Sequence, residues 1–235
     1  MAYDKVVDST VLNAGLTQIA GAIRAKTGTG GTLTFPSGFV SAIEGLSGGS
    51  ATEPYIEETY DANGQLIDAV MHGYTQIRSN AFAYCGGLVS VSGISAITSI
   101  GYSAFQNCNN LALTSLPEGL TSISNYTFQN CSNLALTSLP AGITSISSSA
   151  FRDCSNLALT SLPAGITSIG NYAFQNCTGL TTITFEGTPQ SINSSAFSGC
   201  TNLTTINVPW AEGAVENAPW GATNATINYN YTPEG

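Results

Sequence analysis

Between residues 75 and 208 the apolar positions recur every 23 residues, not every two or every 3.6. Cys85, Cys108, Cys131, Cys154, Cys177 and Cys200 mark the period. Three positions before each cysteine stands Phe82, Phe105, Phe128, Phe151, Phe174 or Phe197. Three positions after stands Leu88, Leu111, Leu134, Leu157, Leu180 or Leu203, and eight before stands Ile77, Ile100, Ile123, Ile146, Ile169 or Ile192. A fixed period in this range is the mark of stacked repeats. No such unit can bury its apolar face alone, so the pattern predicts a solenoid whose turns share one core. Within a unit, Leu157, Leu159 and Leu162 alternate as a short strand, and Pro163 ends it because proline cannot donate to a ladder. Gly165 permits a turn, and Ile166 and Ile169 open a second extended segment. Ala173, Phe174 and Cys177 close the unit and are expected as a short helical or 3₁₀ stretch. The predicted class is an α/β repeat, with parallel strands of successive turns sharing one continuous sheet.

The flanking regions follow other patterns. In residues 1–50, Ser9 or Thr10 can cap a helix through Val11, Leu16, Ile19, Ala20 and Ile23, and Ser37 a second through Phe39, Val40, Ile43 and Leu46. Two short helices make too small a core to stand alone, so this module is expected to attach to a partner or to self-associate. Residues 51–73 read as a β-hairpin cap: Tyr55–Tyr60 and Gln65–Val70 flank Asp61-Ala-Asn-Gly64, whose glycine suits a left-handed turn position. The repeats occupy 74–207 and a C-terminal cap 208–235. In that cap Pro209-Trp210 and Pro219-Trp220 frame a loop, and Ala225 to Tyr231 alternates like an edge strand. Trp210, Trp220, Tyr229 and Tyr231 either cover the core of the last repeat or stand on an exposed rim, where aromatic rings can stack on sugars. Tyr126 and Tyr172, within the repeats, are further candidates for a binding surface.

The cysteines invite a disulfide or metal reading. Equivalent positions on adjacent parallel strands lie about 4.8 Å apart, beyond the roughly 3.8 Å between Cβ atoms that a disulfide favours. The chain has no Cys-x-x-Cys pair and its single histidine is His72, so the zinc spacing is missing. A ladder of buried free thiols is expected instead, with neither metal nor cofactor.

Charge narrows the class further. Only 8% of residues are charged and the net charge is −9, where soluble domains average about 25% charged. From 79 to 211 the charged residues are Glu118, Arg152, Asp153 and Glu186. Ser, Thr, Asn and Gln must therefore make the solvated face. Five Lys and Arg, scattered, give no basic patch for nucleic acid. No stretch approaches the roughly 20 apolar residues of a membrane helix, and the N-terminal segment lacks the pattern of a secretory signal. The sequence offers no catalytic constellation: one histidine cannot be matched to a nucleophile and an orienting group. The acidic pairs Glu57 with Glu58 and Glu212 with Glu216 read as solvated side chains, and Gly28, Gly30 and Gly31 follow a helix pattern and lack a P-loop lysine.

The string ITSIxxxAFxxCxxL, read here from Ile166 to Leu180 with five sister copies, closely resembles the BspA-like leucine-rich repeat. The resemblance covers about residues 74–208. It implies a leucine-rich-repeat solenoid used for protein binding or adhesion, and carries over no catalytic residue. Thr127 in place of alanine and Pro189 in the last unit depart from the pattern. Residues 131–146 and 154–169 are the same string, CSNLALTSLPAGITSI, which points to recent duplication. Residues 20–46 and 208–232 resemble the ends of tail-associated proteins of phages and prophages of gut Gram-positive bacteria. That resemblance implies a virion protein, made in the bacterial cytoplasm and released by lysis. Residues 1–50 would then dock to tail components and assemble a homo-oligomer, a trimer by analogy to tail fibres. The solenoid would serve as a spacer or meet a host cell-surface protein or glycan. The alternative is a bacterial cell-surface adhesin of the BspA type. An adhesin should carry an export signal, and the pattern at Met1 is expected to favour the virion reading.

Overall fold

The computed structural model describes residues 54–232, and the helices expected in residues 1–50 lie outside them. Strands β1 (Tyr55–Tyr60) and β2 (Leu66–His72) form an antiparallel hairpin. Its turn is closed by the Asp61 carboxylate, which accepts the N–H groups of Asn63 and Gln65 at 2.8 Å each, and Gly64 takes a φ of 77°. The hairpin joins the solenoid through β2, which pairs in parallel with β4 (Ser90–Ser92) of the first turn. Ala69 and Met71 of β2 thereby reach the core.

Each repeat contributes a short strand ending on its in-step isoleucine: β3 (Gln76–Ile77), β5 (Ser99–Ile100), β6 (Ser122–Ile123), β7 (Ser145–Ile146), β9 (Ser168–Ile169) and β11 (Ser191–Ile192). Parallel pairing sets Ile146 beside Ile123 and Ile169, and Ile192 beside Ile169. The leucine segment forms strands in the first turn, as β4, and in the later turns, as β8 (Ser161–Leu162), β10 (Thr182–Phe185), β12 (Thr205–Asn207) and β13 (Thr226–Asn228), all parallel. The units between them hold that corner with single bonds, as from Ala112 N–H to the Val89 carbonyl. The expected continuous sheet is thus several short ladders. One interruption falls between Ile100 and Ile123. There the Ser124 hydroxyl donates to the Ile100 carbonyl at 2.8 Å, and buried Thr127 donates to the Ser124 carbonyl at 2.8 Å. Pro189 is buried where sister turns carry Ile166 or Ile143.

The closing segment corrects the α/β expectation, because no helix occurs among the described residues. Its N–H groups alternate between two partners. Ala173, Gln175 and Cys177 donate within the turn to the carbonyls of Gly170, Tyr172 and Phe174, while Phe174 and Asn176 donate to Ala196 and Ser198 of the next turn. Left-handed residues flank the phenylalanine, Tyr172 at φ 55° and Asn176 at φ 58°. A right-handed helix cannot continue through such residues. The fold is an all-β solenoid closed by turns.

The core is a column. Phe82, Phe105, Phe128, Phe151, Phe174 and Phe197 stack with centroids 5.1–5.5 Å apart and planes within 8° of parallel. Residues 208–228 add a final, shorter turn: Thr226 pairs with Thr205, and the Trp220 carbonyl takes the Phe197 N–H at 2.9 Å, as the Ala173 carbonyl takes that of Phe151.

Candidate functional site

Two left-handed positions recur around the buried phenylalanine, the one before it on five turns and the one after it on six. The one before it holds Asn80, Ser103, Tyr126, Ser149 and Tyr172, with φ from 51° to 58°. The one after it holds Tyr84, Asn107, Asn130, Asp153, Asn176 and Gly199, with φ from 58° to 75°. Asn, Asp and Gly are the residues that tolerate this conformation. A bulky ring there is an outlier that costs of the order of 1–3 kcal/mol. Three tyrosines accept that cost, and none of them is buried. Tyr84 and Tyr172 are 73% and 37% exposed, and Tyr126 is half-buried. Tyr102, 48% exposed, meets Tyr126 edge-on at 5.5 Å and 69°.

An open groove of about 540 Å³ crosses the same turns, lined not by the tyrosine rings but by residues that precede them in the chain, Asn125 one before Tyr126 and Gly170 two before Tyr172. Its lining includes Asn125, Ser148, Gly170, Ser191, Ser194 and Asn217, and no charged side chain. Asn125 is fixed by its Oδ1, which accepts the Ser148 N–H at 3.0 Å. Gly170 allows close passage, since a Cβ there would stand 2.6 Å from the Ser148 nitrogen. The groove offers hydroxyl and amide groups in rows set by the solenoid register.

The six aromatic candidates therefore divide. Tyr126 and Tyr172 lie at this corner. The two tryptophans do not form a displayed rim, because Trp220 is fully buried and Trp210 is 6% exposed. They pack at 6.3 Å from each other and at 6.0 and 5.2 Å from Phe185, and Trp220 Nε1 donates to the Glu216 carbonyl at 2.7 Å. Large apolar rings are drawn to the end of a column that has no further turn to cover it. Tyr229 and Tyr231 are half-buried beside β13, Tyr229 against the core. Tyr84 and Tyr102 were not singled out from sequence. Aligning the copies on the phenylalanine would have exposed tyrosines where sister units carry Asn or Ser.

The titratable groups are placed by the scaffold. All six cysteines are free. Those from Cys108 to Cys200 are buried and Cys85 is half-buried. Burial pushes the Cys131, Cys154 and Cys177 thiols well above their ordinary value, and Cys108 and Cys200 up to about 12, which makes them inert. His72 stacks on Tyr55 at 4.3 Å, with Nε2 3.6 Å from a Glu57 carboxylate oxygen. Glu212 and Glu216 are exposed on the C-terminal loop. Among the described residues no three of His, Cys, Asp and Glu converge as a metal site would need.

The profile of the BspA type leucine rich repeat region matches six copies over residues 75–204. Among solved structures, the chain is similar to a leucine rich repeat protein from T. pallidum, at 25% identity and a TM-score of 0.51, covering 66% of this chain and 82% of that one. It is also similar in fold to a leucine-rich repeat protein from Bacteroides ovatus, at 24% identity and a TM-score of 0.50 over 68% of this chain and 47% of that one. No curated protein matches the sequence.

Proposed function

The chain belongs to the BspA type leucine rich repeat family, and on that premise we propose that it is a non-enzymatic display protein whose solenoid presents an uncharged binding surface. The observation that carries this reading is the turn corner, where Tyr126 and Tyr172 occupy strained positions one and two residues after Asn125 and Gly170, which line a groove of hydroxyls and amides. The fold consumes its apolar residues in one column, so what is left to vary between copies is the solvated face.

The setting proposed is a phage or prophage virion. Its support is the resemblance of residues 20–46 and 208–232 to tail-associated proteins. In this reading residues 1–50 attach the chain to tail components and assemble it, as a trimer by analogy to tail fibres, and the solenoid meets a host cell-surface protein or glycan. The family match equally favours a second reading, a bacterial surface adhesin that binds host proteins. An antibody to the solenoid separates the two. After prophage induction, the protein should band with purified particles and be absent from washed cell walls. Recovery in cell walls alone would exclude the virion setting. Light scattering on the full chain tests assembly, and a monomer at micromolar concentration would remove the oligomer.

A further inference from the structure

We propose that Tyr126 and Tyr172 are two platforms of a binding site for an uncharged, extended, β-1,4-linked polysaccharide lying parallel to the solenoid axis. The proposal names the ligand class for the display surface and rests on that reading. Four observations converge on it.

The first is spacing. In the ladder Asn80, Ser103, Tyr126, Ser149, Tyr172, the rings fall on alternate turns, and the serines on either side of Tyr126 are buried. The phenylalanines beneath advance 5.5 Å from turn 128 to turn 151 and 5.5 Å again to turn 174. Two such steps separate the tyrosines. An extended β-1,4-linked chain turns over at each sugar and so presents the same face of every second sugar, at close to that interval. Platforms on every turn would meet alternating faces, whereas platforms on every second turn meet one.

The second is the choice of residue. Serine serves the same left-handed position at Ser103 and Ser149, so the fold does not require tyrosine there. An observed outlier of this kind points toward function. The third is chemistry. The apolar face of a sugar ring stacks on an aromatic side chain whose hydroxyl stays wet. Its rim hydroxyls find donors and acceptors in Asn125, the residue before Tyr126, and in Ser148 and Ser194, which line the same groove as Asn125. Tyr102, edge-on to Tyr126, steadies one platform and lengthens the aromatic row.

The fourth is charge. The groove lining holds no charged side chain and the whole chain carries −9. A polyanionic glycan would meet repulsion and no arginine or lysine to pair with. A protein partner would ordinarily be anchored by a central apolar pocket, which this open polar groove does not supply.

The test is affinity electrophoresis of the full chain through gels containing hydroxyethyl cellulose, with carboxymethyl cellulose as the charged counterpart and chitohexaose and cellohexaose as soluble competitors. The wild type should be retarded by the neutral polymer, released by at least one competitor, and pass the carboxylated gel unhindered. The double variant Tyr126→Ser, Tyr172→Ser installs the residue that Ser103 and Ser149 already show to be compatible with the turn. It should lose retardation at least tenfold with an unchanged circular dichroism spectrum. Tyr84→Asn, at the other left-handed position where sister turns carry Asn107 and Asn130, should run as wild type. Retardation that persists in the double variant overturns the proposal. So does a wild type that ignores the neutral polymer yet binds whole gut Gram-positive cells, an outcome that leaves the display reading standing and points to a protein receptor.

Discussion

Cys154 donates its thiol to the main-chain carbonyl of Phe128, 3.0 Å away in the preceding turn. The same bond runs from Cys108 to Phe82, Cys131 to Phe105, Cys177 to Phe151 and Cys200 to Phe174. The Phe128 carbonyl also accepts the Cys131 N–H at 3.1 Å, so one oxygen links its own turn to the next. Alanine in this place would lose a donor, and a larger residue would not fit the column. The recurring cysteine is a hydrogen-bonding filler, and its chemistry is that of the neutral thiol.

A pH dependence follows. Burial holds Cys108 and Cys200 at about 12, against an ordinary 9.0, with the neighbouring Cys85 adding to the effect at Cys108. Above pH 9 the unfolded chain releases these protons and the folded chain keeps them. Stability contributed by the neutral thiols is therefore full below pH 9 and is lost as pH rises from 9 toward 12. Thermal melts should show a flat Tm up to pH 8.5 and a progressive fall from pH 9 to 11. A melting temperature that stays level across that window would contradict the buried ladder. Thiol counting in denaturant without reductant should return six free thiols.

Phe151→Ala should cost about 3–5 kcal/mol, because it removes a fully buried ring from between Phe128 and Phe174. Each turn touches only its neighbours, so amide exchange should accelerate most in the turns around residues 128 and 174. Uniform acceleration from the hairpin to Trp220 would contradict a column built turn by turn.

Tyr172→Asn should stabilise the fold by about 1 kcal/mol, since it relieves a bulky left-handed residue and sister position Asn80 already adopts that backbone. Urea denaturation measures it. A loss of stability would mean that the tyrosine is there for packing.

Gly187→Ala should destabilise by about 1–3 kcal/mol, the usual range for forced overpacking. A Cβ at this site would stand 2.2 Å from the Ala164 carbonyl oxygen and 2.8 Å from its carbon and Cα. All three are backbone atoms, with no flexible side chain to yield. An unchanged denaturation midpoint would refute the close approach.

The period, the identity of the core column and the hairpin at one end were legible in the sequence because each is written in local residue types. Phe, Cys, Leu and Ile stay in step only if they stack. The path of the chain between them was not legible. A run such as Ala173 to Cys177 has the local look of a helical turn, yet alternate N–H groups find carbonyls 22 residues on, at Ala196 and Ser198. No window along the chain contains that partner. Trp210 and Trp220 were ambiguous for a related reason. Capping and display both want exposed-looking aromatics beside prolines, and only the position of Phe185 decides. At the candidate site, Tyr126 and Tyr172 stood out as aromatic, whereas their left-handed backbone and the uncharged groove lined by Asn125 and Gly170 required the register of neighbouring turns.

The alternation of hydrogen bonds at the turn corners has a mechanical consequence. Bonds such as Phe151 to Ala173 and Asp153 to Gln175 join one turn to the next, and so lie along the solenoid axis. A pull between the two ends would load them in tension, one turn at a time, beginning at a cap. Each turn that peels away frees 23 residues, roughly 80 Å of extended chain, in exchange for a step of 5.5 Å in the stack. Under load, a molecule tethered at one end and bound at the other would lengthen in discrete increments. It would act as an extensible leash instead of snapping at its grip.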